Sequence, residues 1–412
     1  MQLGKHMYQI AKRNMSRGLL LLVMLCQFFL LAFVEKDIDN LYSYQWGLKN
    51  NGNFFVDRTI LANNYIPLFF SKPINDQMFF DDKSVIDYFK TYSNSPFAAY
   101  ASEGFDINWE NGYKYFKSLP IRKTAVIAVI DTGVDIEHFE LKDSVWINEN
   151  EIPGNGIDDD NNGYVDDVNG YNFHHKNADV FVNPNIDVHG THAAGIMVAK
   201  HSNGGIKGIA YDPDIKIMPL KVLDENDHGY VSSVAEAINY AKNNGATICN
   251  LSLGSYKYWE AIDKAIKGAS NMVFVVSAGN GENFNGYSLD ERDVYPAKLN
   301  YPNVITVSNA CFDEIKYVSA NFGFNVDVFA PGTYILSTTP MNSFAYITGT
   351  SMAAPHVSAT CAMIYSRFPN VPISQYKSII VNGATPAEHL MGLSKSAGIL
   401  NVQTSLLIAS TF

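Results

Sequence analysis

Cysteine is scarce in this chain, with four in 412 residues. Cys26 lies in an N-terminal apolar run, and Cys249 and Cys361 fall in segments that read as buried strand and buried helix. Thiols so placed imply no disulfide framework and are expected to act as packing residues. Positive charge is also in short supply, with 30 Lys and Arg against 41 Asp and Glu and a net charge of −11. That balance argues against nonspecific attraction to nucleic acid. Internal repeats and low-complexity linkers are absent, and the length allows one large α/β domain or two smaller ones.

What is present is chemistry. Val-Ile-Asp-Thr-Gly around Asp131, His-Gly-Thr-His-Ala-Ala-Gly from His189 and Gly-Thr-Ser-Met-Ala-Ala-Pro-His around Ser351 supply an acid, a base and a nucleophile in that order. A hydroxyl is a poor nucleophile at neutral pH, so it needs a base in contact and a carboxylate that fixes the base's tautomer. No Gly-x-Ser-x-Gly surrounds Ser351, which argues against an α/β-hydrolase. His192 lies three residues after His189, but no Glu follows in zincin spacing, so a metal reading of the pair is weak. Each residue also has a plain reading. Asp131 ends the apolar run from Ala125 to Ile130, which suits a strand buried on both faces, and could cap a loop there. Ser351 could be a helix N-cap before small residues that pack closely on a sheet.

With Asn250-Leu251-Ser252-Leu253-Gly254 and Ser277-Ala278-Gly279-Asn280, five motifs stand in one order. The chain resembles the subtilisin-like serine proteases, from Gln45-Trp46-Gly47-Leu48-Lys49-Asn50 to Gly398-Ile399-Leu400-Asn401. The resemblance implies an α/β, subtilisin-like fold with a mostly parallel central sheet and helices on both faces. Alternating segments agree: Lys216 to Val222 then Val231 to Asn243, Thr247 to Leu251 then Trp259 to Ala269. It also implies a serine endopeptidase acting on a polypeptide substrate through an acyl-enzyme. His189 would deprotonate Ser351, Asp131 would orient His189, and Asn280 with the Ser351 N–H would stabilise the oxyanion. Asn280 follows the apolar run Met272 to Val276, which places it at the carboxyl end of a strand. Ser252, Leu253 and Gly254 match one peptide-pairing strip, and Asp227, His228 and Gly229 match the other. Asp227 and His228 depart from the small residues common there, which leaves two readings open: a preference for basic or polar side chains, or an exposed acidic loop without selectivity. A dedicated processing protease and a catalytically silent binding protein are the rival functions, and the intact motifs weigh against silence.

From Asp158 to Asp167, oxygen donors recur at alternate positions, with Gly163 sixth and the Tyr164 carbonyl seventh. The twelfth position is Asn169 where an EF-hand needs Glu, so an EF-hand is rejected and a calcium loop is retained. Expected Ca2+ ligands are Asp158, Asp160, Asn162, Tyr164 and Asp166, with Asp167 and Glu151 as further candidates; related subtilases carry similar segments. A solvated acidic turn is the alternative. A second family calcium site would use Asn40, Glu140 and the loop 201–206, but the match is loose and it is not adopted. The apolar run 18–34, preceded by Lys5, Lys12, Arg13 and Arg17, reads as a signal peptide or membrane anchor and implies an extracytoplasmic protein, secreted or anchored. Residues 1–34 thus stand apart from a peptidase domain over 35–412. A conventional pro-domain is not expected, because only Glu35 to Tyr44 separate the apolar run from Gln45. Instead an insertion at about 53–105, rich in Phe and Tyr, is expected to pack on the domain away from the triad.

Overall fold

The computed structural model describes residue 39 and residues 41–52, 54–57, 65–68, 98–224, 228–282 and 285–412, without the side chains of 55–57, 65–68 and 98–100. The apolar run 18–34, most of the insertion and Asp227 lie outside the described residues.

In chain order the strands are β1 (Phe55–Asp57), β2 (Tyr65–Leu68), β3 (Ala98–Tyr100), β4 (Ala125–Asp131), β5 (Tyr171–Asn172), β6 (Ile215–Lys221), β7 (Ile248–Leu251), β8 (Val273–Ser277), β9 (Val304–Ala310), β10 (Val328–Pro331), β11 (Ile335–Thr339), β12 (Ser343–Ile347), β13 (Thr385–Pro386) and β14 (Gly398–Ile399). The α-helices are α1 (Trp109–Ser118), α2 (Val188–Val198), α3 (Val231–Asn243), α4 (Glu260–Gly268), α5 (Thr350–Arg367), α6 (Tyr376–Gly383) and α7 (Val402–Ala409). Nine strands form one sheet in the order β13-β14-β10-β9-β8-β7-β4-β6-β5. Only the β13–β14 pair in it is antiparallel.

The apolar runs explain the parallel sheet. A strand covered on both faces needs an apolar side chain at every position, and all seven residues of β4 are buried. Ala125, Ile127 and Val129 enter a core shared with α1, α2, α5 and α7. Val126, Ala128 and Ile130 enter a second core shared with α3 and α4. Helices therefore cover both faces, as expected. Burying one such Ile or Val is worth about 2 kcal/mol. Parity also places the acid: Asp131, next in the odd series, faces the side occupied by α2 and α5. Chain order reverses at β4, with β6 on one side and β7 on the other. The carboxyl ends at such a switch point are where open α/β sheets bind ligands.

Two smaller sheets involve the insertion. β1 pairs with β3, and β2 adds a third strand to the β11–β12 hairpin. Phe54 is buried edge-on against Phe312, with ring centroids 5.3 Å apart. Where 69–97 packs lies outside the described residues. The segment from Gln45 is anchored: Trp46 is buried and donates its Nε1–H to the Thr333 carbonyl at 2.8 Å. Cys249, Cys311 and Cys361 are free and buried, and burial pushes their thiol pKa values up.

Three histidines are buried as neutral rings. His192 Nε2 lies 3.0 and 3.1 Å from the Ile335 and Ala345 carbonyls, and its Nδ1 has no partner. A second proton would have nothing to bond, and burial pulls its pKa down to about 3. Burial likewise lowers His138 and His356 to about 4 each. Below pH 6.5 the unfolded chain therefore takes up protons that the native chain refuses, and stability falls towards pH 4.5. Glu140, raised by burial to about 8, acts in the opposite sense, as do Asp106 and Asp135 with smaller upward shifts, and the three histidines outweigh them. Calorimetry is expected to show a lower Tm at pH 4.5 than at pH 6.5; an equal or higher Tm would contradict this balance.

Candidate active site

Asp131 closes β4 with its carboxylate 1% exposed. Its Oδ1 accepts from His189 Nδ1 at 2.7 Å and from the Thr132 N–H at 2.7 Å. Because a carboxylate can only accept, His189 carries its proton on Nδ1 and its lone pair on Nε2. Close approach of two backbone segments makes this contact possible. The Gly190 N–H donates to Thr132 Oγ1 at 3.0 Å, and a Cβ on Gly190 would collide with the Gly133 carbonyl. Gly133 has φ of 126°, and a Cβ there would meet the Val180 carbonyl and Asp187 Oδ1 at 2.7 and 2.8 Å.

Ser351 is the second residue of α5, whose N-cap position is held by Gly349, so the N-cap reading of Ser351 is corrected by two residues. Ser351 Oγ donates to the Ser252 carbonyl at 3.3 Å, and Ser252 Oγ donates to the Ser351 carbonyl at 2.9 Å. The second bond has a cause in the sequence. Pro355 lies four residues after Ser351 and has no N–H, so the Ser351 carbonyl loses its helical donor and the Ser252 hydroxyl replaces it. Asn250 Nδ2 in turn donates to Ser252 Oγ at 3.0 Å, and its Oδ1 accepts from Ser358 Oγ at 2.8 Å. The Thr350 N–H donates to Asn280 Oδ1 at 3.2 Å, which directs the amide nitrogen the other way. A Cβ on Gly349 would lie 3.5 Å from Asn280 Nδ2 and 3.8 Å from the Ser351 N, so the two donors share one side of Gly349.

Beside His189 lies a cavity of about 310 Å³, lined by Leu223, Gly229, Val231 and Val234 on one side and Ser252, Leu253, Gly254, Trp259 and Ile262 on the other. The strips expected to pair with a peptide thus face one cavity, and Leu223 bridges Gly229 as an isolated β-pair. His228 is exposed and outside the lining, its N–H donating to Asp224 Oδ1 at 2.9 Å. Gly254 and Gly279 both lie against the buried Val294, whose Cγ1 is 3.4 Å from the Cβ position of each. The sequence reading missed Trp259 and Ile262 as lining residues, because nothing in their local pattern marks a pocket wall.

The acidic loop is built differently from its spacing. Glu151, Asp160 and Asp167 each direct a carboxylate oxygen into one cluster within 4.8 Å. Glu151 Oε1 accepts from the Asp159 and Asp160 N–H groups, whereas the buried Oε2 has no partner. Asn162 Nδ2 donates to Asp160 and Asp167 at 3.1 and 3.0 Å. Asp158 instead accepts from the N–H groups of Asn162 and Gly163, and Asp166 from those of Asn155 and Gly156, so both carboxylates brace turns. Tyr164 packs its ring against Tyr171, Phe173 and Tyr240. At the loosely matched second site, Glu140 accepts from the Ile206 N–H and Asn203 Nδ2, while Asp39 accepts from the N–H groups of 202–204.

Fold and site together define an α/β protein in which Asp131 bonds His189 at the end of a parallel strand, while Ser351 bonds Ser252, which lines the same cavity as His189. The profile of the subtilase family matches residues 122–401. Subtilisin DY of Bacillus licheniformis is 31% identical over 284 residues, covering 68% of this chain and 89% of that one. Subtilisin-like protease 1 of Plasmodium vivax is 35% identical over 274 residues, covering 62% of this chain and 43% of that one. The chain spans less than half the length of the Plasmodium relatives it matches. Among solved structures, a cold adapted subtilisin-like serine proteinase matches with a TM-score of 0.50 at 25% identity, over 68% of this chain and 87% of that one. A Pseudoalteromonas arctica protease has a TM-score of 0.58 at 24% identity, over 74% of this chain and 94% of that one, and shares the fold. The chain belongs to the subtilase family.

Because Pro355 cannot replace the Ser252 hydroxyl, Ser252→Ala should leave the Ser351 carbonyl without a protein donor. Denaturant unfolding is expected to report a loss of about 1–3 kcal/mol, and an unchanged midpoint would show that the bond is dispensable.

Proposed function

We propose that the chain is a serine endopeptidase that cleaves polypeptides through Asp131, His189 and Ser351. The observation that carries this reading is the 2.7 Å bond between a buried carboxylate and His189 Nδ1, which leaves the imidazole lone pair on the nitrogen that a general base uses. In this reading His189 Nε2 takes the Ser351 hydroxyl proton as Oγ bonds to the scissile carbonyl carbon. The carbonyl oxygen, now negative, accepts from Asn280 Nδ2 and the Ser351 N–H. His189 returns its proton to the leaving amine, and a water activated in the same way hydrolyses the ester. The substrate lies as an added strand between 228–229 and 252–254, where backbone bonds hold it without regard to sequence.

The same reading assigns calcium to the acidic cluster. Glu151, Asp160 and Asp167 are hard oxygen donors, and the unpartnered buried Glu151 Oε2 fits a cation better than it fits apolar surroundings. Bound Ca2+ would neutralise the clustered carboxylates and hold the loop against α3, where Tyr240 also donates to Asp167. The basic and apolar N-terminal run supports export of the chain. Among the described residues no helix is long and apolar enough to cross a membrane.

Ser351→Ala is expected to lower kcat by about a millionfold, and Asn280→Ala by about a hundred- to a thousandfold, each measured on a peptide substrate with folding checked by circular dichroism. Near-normal turnover by Ser351→Ala would refute the nucleophile. For calcium, chelation should lower Tm, and added Ca2+ should restore it with the logarithm of free ion. Glu151→Gln should lose most of that response, and identical melting curves in chelator and in calcium would leave the cluster a solvated turn.

A further inference from the structure

We infer that Lys221 is a positioning residue: its ammonium, buried under the triad, holds the acid's turn and the base's helix together and ties both to the substrate-binding strip. This role rests on the proposed triad and goes beyond it, since Lys221 touches no reacting atom.

Asp131 and Lys221 are opposite one another in the parallel β4–β6 pair, both at the strand ends. Partners opposite one another in a sheet project to the same face. Ile215 and Ile217 of β6 lie in the core under α2 and α5, and Lys221 continues that odd series. Its side chain is 1% exposed and that of Asp187 is fully buried. Lys221 Nζ donates to the Thr132 carbonyl, to Asp187 Oδ1 at 2.7 Å and to the Leu223 carbonyl at 3.0 Å. An ammonium has three protons, so these three acceptors satisfy it completely.

Each acceptor belongs to a different part of the site. Thr132 follows Asp131. Asp187 is the N-cap residue of α2, two residues before His189. Leu223 lines the cavity and bridges Gly229. Asp187 is held as firmly as it holds: its Oδ2 accepts from the Val182 and Asn183 N–H groups at 2.6 and 3.0 Å, and its carbonyl accepts from Thr191 Oγ1 at 2.6 Å. A shorter or neutral side chain at 221 would leave the Thr132 carbonyl and a buried carboxylate unpaired. Burying an ion pair is a poor source of net stability, because desolvation offsets most of the attraction. Orientation is the return for that cost here, since three segments that must agree within a fraction of an ångström converge on one point charge.

The test is the double variant Lys221→Met with Asp187→Asn, which removes both charges together and leaves no buried ion alone. The Asn oxygen can still accept from Val182 and Asn183. With the variant folded and assayed well below its Tm, kcat is expected to fall about ten- to a hundredfold, as small misplacements of reacting groups do, with KM within about twofold. The far-downfield proton resonance of the Asp131–His189 bond should shift or disappear. Wild-type kcat with an unshifted resonance would overturn the role and leave only a structural ion pair. If the double variant fails to fold, Asp187→Asn alone carries the test, because Lys221 keeps both carbonyls and only its hold on α2 weakens; the same split between kcat and KM is expected, and its absence overturns the role. Ser351→Ala is assayed alongside. If it stays active, the triad reading falls and the positioning role falls with it. If it is dead while the charge-free variant keeps full turnover, the positioning role alone is lost.

Discussion

The bond between Asp131 and His189 constrains the whole site, because it joins a strand end to a helix start between a carboxylate 1% exposed and an imidazole that reaches the cavity. A buried carboxylate is costly unless its lone pairs are used; the Thr132 N–H and His189 Nδ1 both use Oδ1, while Oδ2 is buried without a partner, so the cost rests on these two bonds. To bring the imidazole that close, α2 must begin against the 131–133 turn. That approach requires glycine at both 133 and 190. It also requires Asp131 to keep its parity in β4, since a slip of one residue would turn the carboxylate towards α3 and α4. The buried apolar runs on either side of β4 hold that register.

The Ser351 segment obeys a related logic. Pro355 within α5 frees the Ser351 carbonyl, and Ser252 takes it, so Ser252 and Ser351 are bonded in both directions. Asn250 continues the line from β7 into α5. Residues 250–252, the start of α5 and Asn280 therefore form one hydrogen-bonded unit, and Lys221 joins Thr132, Asp187 and Leu223 into another. The cavity between the strips lies where the two units meet.

Much of this was legible in the sequence, for identifiable reasons. Continuous apolar runs such as Ala125 to Ile130 and Met272 to Val276 admit few alternatives to buried parallel strands, and β4 and β8 formed where they predict. Asp131, His189, Asn280 and Ser351 sit in short motifs whose chemistry constrains every neighbour. The acidic loop was half legible. Spacing selected Asp160, with Asp167 and Glu151 only as further candidates, but a spacing rule cannot tell a carboxylate that turns inward from one that braces its own backbone, and Asp158 and Asp166 do the latter. Glu151 completes the cluster from seven residues upstream of the motif. Lys221 was not legible at all. Its place comes from β-strand register and chain crossings, and it lies in no distinctive local pattern.

The central claim is that Ser351 is made nucleophilic by His189 and Asp131. A fluorophosphonate reacts covalently with an activated serine and not with an ordinary surface hydroxyl, so intact-mass analysis followed by peptide mapping tests it directly. The account predicts one adduct per chain, located on Ser351, formed rapidly by the wild type and slowed by orders of magnitude in His189→Ala. An adduct on a different serine, no adduct at all, or labelling of Ser351 at an unchanged rate without His189 would contradict it.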